Sequence, residues 1–86
     1  METADITRRV IAVVARVLKV DPKDVTETSN FSFDLGADSM SSVALVAAFE
    51  EEFDIDMDED AALSVKSVGG AVKFISDVMK QQGKLS

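Results

Sequence analysis

Apolar residues return at helical spacing in the first stretch of the chain: Ile6, Val10, Val13, Val14, Val17 and Leu18, with Arg8, Arg9, Arg16 and Lys19 between them. Steps of three and four place such residues on one face of a helix, and the strict alternation of a strand is missing. The β-branched content lowers the helix propensity a little. Thr3 or Asp5 can cap the start. Pro22 is expected to close the element, because a proline pushes the residue before it, Asp21, out of helical conformation. A second helix is predicted from about Ser39 to Phe53, with Val43, Val46, Phe49 and Phe53 as its apolar stripe and Met40 and Leu45 flanking. A short third helix is predicted around Glu59 to Leu63. The last starts near Ser67, a plausible N-cap, runs to about Lys80, and buries Val68, Ala71, Val72, Ile75 and Met79. Gly69 and Gly70 weaken its first turn by roughly 1 kcal/mol each relative to alanine, unless they permit close packing or local opening.

A long loop, about Asp21 to Asp38, separates the first two helices. Loops of that length in small domains are usually functional or pinned by their own side chains. Val25, Phe31 and Leu35 are the candidate pins, and Gly36 offers a sharp turn with positive φ before the second helix. The expected architecture is all-α: a four-helix bundle of three longer helices and one short, forming a single domain over residues 1–86 with a frayed tail at about 81–86.

Composition narrows the chemistry. The chain has 86 residues, 47% of them hydrophobic, which suffices for one small core. It contains no cysteine, so neither a disulfide nor a thiolate ligand is available, and no histidine, the commonest general base and metal ligand. Most hydrolytic and metal-dependent mechanisms become remote. The net charge of −7 disfavours nucleic acid and anionic membrane surfaces. No apolar run reaches the roughly 20 residues of a membrane span, and the first residues read as part of the fold rather than a cleavable leader. A cytoplasmic location and a monomer are the expectations.

Charge is also unevenly spread. From Asp24 to Val65 there is no lysine or arginine, while twelve acids lie there, among them Glu50, Glu51 and Glu52 in the last turn of the second helix. Negative charge at a helix C-terminus opposes the macrodipole. These acids therefore serve either as a solubilising face or as a docking surface for cationic partners, which single-sign fields steer into encounter. Asp54, Asp56 and Asp58 alternate as in an EF-hand loop, but Glu59 stands where that loop needs a glycine and Val65 where it needs a glutamate. No resident metal is expected.

Asp34-Leu35-Gly36-Ala37-Asp38-Ser39-Met40 is the most informative segment. It sets an exposed hydroxyl behind a glycine turn and an acidic cap, at the positive end of a helix. Ser39 there is compatible with a plain capping role or with bearing an anionic phosphodiester. A hydrolase nucleophile would need a base, and the chain has neither histidine nor a G-x-S-x-G elbow.

Phe31-x-x-Asp34-Leu35-Gly36-Ala37-Asp38-Ser39-Met40 resembles the acyl carrier protein motif, whose core is D-S-L. The likeness continues through Val43-x-Leu45-Val46-x-x-Phe49-Glu50-Glu51-Glu52-Phe53 and returns at Val68, Ala71, Val72 and Ile75, covering roughly Val10 to Val78. It implies a free-standing carrier whose Ser39, flanked by Asp38 and Met40, receives 4′-phosphopantetheine from coenzyme A through a separate phosphopantetheinyl transferase (holo-ACP synthase). The thiol of that arm would carry acyl groups to acyl-transfer and condensing enzymes with basic patches, docked through Asp34, Asp38, Glu50, Glu51, Asp58 and Glu59. Chemistry would belong to the arm and the partners, not to this chain. Val43, Val46, Ala47, Ala62, Val65 and Ala71 become candidates for the wall of an acyl cavity, beside the plain reading of core packing. Met40 replaces the usual leucine, and Ser41 and Ala44 stand where common fatty-acid carriers have acids. Phe33, where relatives often have an acid, is either an exposed anchor or a loop pin. These departures suggest a specialised carrier for fatty acid or lipid assembly. A carrier of polyketide or nonribosomal peptide synthesis, or an acidic interaction module, is the alternative.

Overall fold

The structure, a computed structural model, describes residues 2–83. Four helices follow one another: α1 (Thr3–Leu18), α2 (Ser39–Phe53), α3 (Glu59–Leu63) and α4 (Val68–Gln81), with a 3₁₀ turn at Pro22–Asp24. The four-helix, all-α expectation holds, and no strand forms among the described residues. The expected tail begins inside α4, since Gln81 is helical and Gln82 is its C-cap; residues 84–86 lie outside the described residues.

α1 buries Ile6, Val10, Val13, Val14 and Ala15, with Val17 and Leu18 half-buried. Neither Thr3 nor Asp5 caps it. Glu2 holds the N-cap position without a side-chain bond, Thr3 is helical, and Asp5 instead pairs with Arg8. The helix also ends before Pro22 acts: Lys19 turns left-handed (φ 58°, ψ 45°) and donates its N–H to Ala15 O. That αL cap satisfies an orphan carbonyl and reverses the chain, and Pro22 then opens the 3₁₀ turn behind Asp21, whose carboxylate accepts from Lys23 N.

The long loop is stitched rather than loose. Val25 and Phe31 are buried and Leu35 is half-buried against the core, as the pin reading requires. Backbone bonds add a seam that side chains alone do not reveal: Phe31 N donates to Lys66 O (2.9 Å), Val68 N to Ser29 O (3.0 Å) and Gly69 N to Glu27 O (2.8 Å). A Cβ at Gly69 would lie 3.0 Å from that Glu27 oxygen, so the glycine permits the loop to close onto the start of α4. Gly36 supplies the expected left-handed turn, at φ 74°.

α1 packs against both α2 and α4, while α2 and α4 make little contact with each other. Ile6, Val10, Val14, Val68 and Ile75 are completely buried at this centre. The arrangement leaves a space between α2 and α4, below the long loop and beside α3.

Candidate functional site

α2 begins where the sequence places it because Asp38 caps it. Its extended backbone and its carboxylate, which accepts from Ser41 N at 2.8 Å, satisfy one orphan donor of the first turn. That bond from Ser41 holds the Asp38 carboxyl below its ordinary range. Ser39 is the first helical residue and is exposed. With the cap supplied by Asp38, the Ser39 hydroxyl has no hydrogen-bond partner among the described residues, which removes the self-capping role. It stands in solvent at the positive end of a 15-residue helix.

Ser39 and Asp38 also stand at the edge of a cavity of about 230 Å³ that enters the space between α2 and α4. Leu45, Val46 and Phe49 form its α2 wall, Ala71 and Phe74 its α4 wall, and Met57, Ala62, Leu63 and Val65 come from α3 and its flanking loops. Phe31, Ser32 and Ala37 contribute from the long loop, and Ser42 and Lys66 add polar atoms. Of the six wall candidates, Val46, Ala62, Val65 and Ala71 line the cavity. Val43 and Ala47 do not: both are exposed on the outer side of α2, and Val43 shares a shallow surface depression with Ser39 and Met40. The assignment of Val43 to the buried stripe is likewise corrected, since it is 45% exposed while Leu45 is 3% exposed. Apolar residues lie all round α2, so spacing alone selects no unique face. Phe31, Ala37, Leu45, Phe49, Met57, Leu63 and Phe74 also line it and were missed as wall residues; Phe74, one step from Ile75, carries a sequence signal only once the neighbouring α2 face is known.

The acids divide into bonded and free. Asp34 accepts from Asn30 N (2.7 Å), Asp58 caps α3 through Ala61 N (3.2 Å), and Glu50 accepts from Met57 N (2.9 Å), closing the α2–α3 connection. Glu52 meets Arg9 of α1 at 2.6 Å, and the same guanidinium sits 4.8 Å above the Phe53 ring. Glu51 and Glu59 are exposed, with no bonded partner among the described residues. The acids that oppose the α2 dipole thus serve tertiary contacts at Glu50 and Glu52 and leave Glu51 to solvent. No group of three or more acids gathers to hold a cation among the described residues. No helix there is long and apolar enough to cross a membrane.

An unbonded serine at a helix start, beside an internal cavity in a four-helix bundle, is the arrangement of a carrier-type domain, a scaffold that presents a hydroxyl. Residues 8–75 match the family described as the phosphopantetheine attachment site. The chain is 53% identical over 74 residues to an acyl carrier protein of Caulobacter vibrioides, covering 86% of this chain and 95% of that protein. It is 51% identical to an acyl carrier protein of Phenylobacterium zucineum, over 86% of this chain and 94% of that one. The chain belongs to the phosphopantetheine-attachment family, among the acyl carrier proteins.

Proposed function

We propose that this chain is an acyl carrier in fatty acid or specialised lipid assembly and that Ser39 Oγ is the attachment atom for 4′-phosphopantetheine. The observation that carries the assignment is the state of that hydroxyl: exposed, unbonded and beside the cavity, because Asp38 has taken over the cap. The residues fit the group. A phosphodiester at the first position of α2 meets the positive end of the helix dipole and the orphan amides of its first turn. Asp38 does not act as a base for the modification. Its carboxylate is committed to Ser41 N and held below the ordinary range, so it is a poor proton acceptor. The chain has no histidine either, so the base comes from the transferase. Once attached, the arm supplies the thiol that holds acyl groups as thioesters.

This chain's own part is to shelter and to present. The walls at Val46, Phe49, Ala62 and Ala71 offer apolar surface to a hydrocarbon chain, at about 0.8 kcal/mol for each methylene removed from water. That gain is small enough for a partner's pocket to compete. Partners are a phosphopantetheinyl transferase and acyl-transfer and condensing enzymes with basic patches, drawn by the net charge of −7. The setting is cytoplasmic, the chain works as a monomer, and catalysis lies with the partners.

Incubation with coenzyme A, magnesium and a phosphopantetheinyl transferase will add the mass of one pantetheine phosphate to the wild type and nothing to Ser39→Ala. A wild type left unmodified by several such transferases, or an alanine variant that still gains the mass, would overturn the assignment.

A further inference from the structure

The surroundings of Ser39 are more negative than its place at a helix start suggests. The end of the α2 dipole is worth about half a positive charge. Asp38, the residue before, brings a full negative charge: its carboxylate accepts from Ser41 N at 2.8 Å and is held below the ordinary range by that bond. Ser42 N is also spent, on Asp38 O at 2.9 Å. From Asp24 to Val65 the chain has twelve acids and no base. A phosphodiester on Ser39 Oγ adds one more negative charge at this point. The helix end does not balance it alone, so the countercharge has to come from another element.

One cation borders the same cavity. Lys66 lines it together with Asp38, Ser39 and Ser42, and no other basic residue does so among the described residues. Two backbone bonds fix the position from which its side chain starts. Phe31 N donates to Lys66 O at 2.9 Å, and Ala37 N donates to Phe31 O at 2.8 Å. The entry to α4 is thereby tied to the loop two residues before Ser39. The Lys66 side chain is exposed and joins no ion pair; those of the described residues belong to Arg8 with Asp5 and Arg9 with Glu52.

We propose that Lys66 is a positioning residue for the arm: its ammonium pairs with the phosphodiester on Ser39 and holds the root of the arm over the cavity mouth. The proposal rests on Ser39 being the attachment residue. An ammonium on a flexible stem suits a phosphodiester as a point charge. The pairing gives the arm a direction. Its root is drawn toward the cavity between α2 and α4 and away from the outer face of α2, where Ser39 also borders Met40 and Val43. An exposed pair is weak, so a partner enzyme's own cation displaces Lys66 when the arm swings out.

Thermal unfolding of the apo and holo forms of the wild type, Lys66→Met and Lys66→Arg tests this, with loading of each checked by intact mass. Methionine keeps an apolar stem and removes the charge. Comparing holo with apo within each variant cancels any effect of the substitution on the fold itself. At low salt, loading will raise the melting temperature of the wild type by roughly 2–4 °C more than that of Lys66→Met. Lys66→Arg will respond as the wild type does, and the difference will vanish at high salt. The phosphorus resonance of the holo chain will move in Lys66→Met and keep its place in Lys66→Arg. Equal responses to loading in the wild type and Lys66→Met overturn the pairing and leave the Ser39 assignment standing. A difference that persists undiminished at high salt would come from packing of the arm rather than from charge, and overturns it as well. A wild type that no transferase loads overturns both readings.

Discussion

α1 and α2 are similar in length and use their apolar residues differently. α1 buries one face, Ile6, Val10, Val13 and Val14, and sets charge against solvent on the other, with Arg9 bridging to Glu52. α2 has apolar residues on two faces: Leu45, Val46, Phe49 and Phe53 point inward, while Met40, Val43, Ala44 and Ala47 remain exposed. A helix that serves only the fold needs one apolar stripe. The second face of α2 contributes nothing to the core and lies on the side that carries Ser39.

Substitutions on the two helices break the symmetry. Ile6→Ala removes a completely buried side chain at the α1 centre and will cost about 2–5 kcal/mol, read as a lower denaturant midpoint with unchanged m-value. In α2 the same measurement separates two near neighbours. Leu45→Ala will lose a similar amount, whereas Val43→Ala will stay within about 0.5 kcal/mol of wild type. Equal losses at the two positions would remove the distinction between the faces.

How far the sequence alone could be read follows from the same contrast. The starts of α2 and α4 and the buried stripe of α4 were legible, because Asp38 and Ser67 are capping residues and the α4 pattern has one apolar face. The end of α1 was not. Lys19 adopts the left-handed cap that glycine or asparagine usually signals, so Pro22 drew the boundary instead. Val43 was misplaced because a helix apolar on two faces has no periodicity that marks which is inner. Ser39 could be singled out, but that its hydroxyl is unbonded depends on Asp38 bonding Ser41 N, a matter of geometry. The division of the acids was equally hidden: Glu50, Glu51 and Glu52 read as one run, and only the approach of Met57 N and Arg9 separates them.

That division sharpens the comparison at the far end of α2. Glu50→Ala frees the N–H of Met57, a cavity-wall residue, and will lower stability by about 1–2 kcal/mol. Glu51→Ala will leave stability within about 0.5 kcal/mol of wild type. Its effect will appear in association with a basic partner, slower at low salt and indistinguishable from wild type at high salt. Should Glu50→Ala and Glu51→Ala shift stability alike, the Glu50–Met57 bond is not one that matters in solution.

The smallest effect belongs to the cap itself and is a pH dependence. The hydrogen bond from Ser41 N favours the Asp38 anion and lowers its native pKa. A carboxyl depressed by folding contributes stability that is fully present above its unfolded pKa, about 3.9, and that is lost as pH falls through the lower native value. Asp38→Ala will therefore melt below the wild type at pH 7, and the gap will narrow as pH drops below about 4. Asp38→Asn keeps a capping acceptor without a titrating group, so its melting temperature will follow pH less steeply than the wild type across that interval. A gap between wild type and Asp38→Ala that is constant from pH 7 to the acid limit would show that the anion is not what holds the first turn of α2, and the free Ser39 hydroxyl would then need another cause.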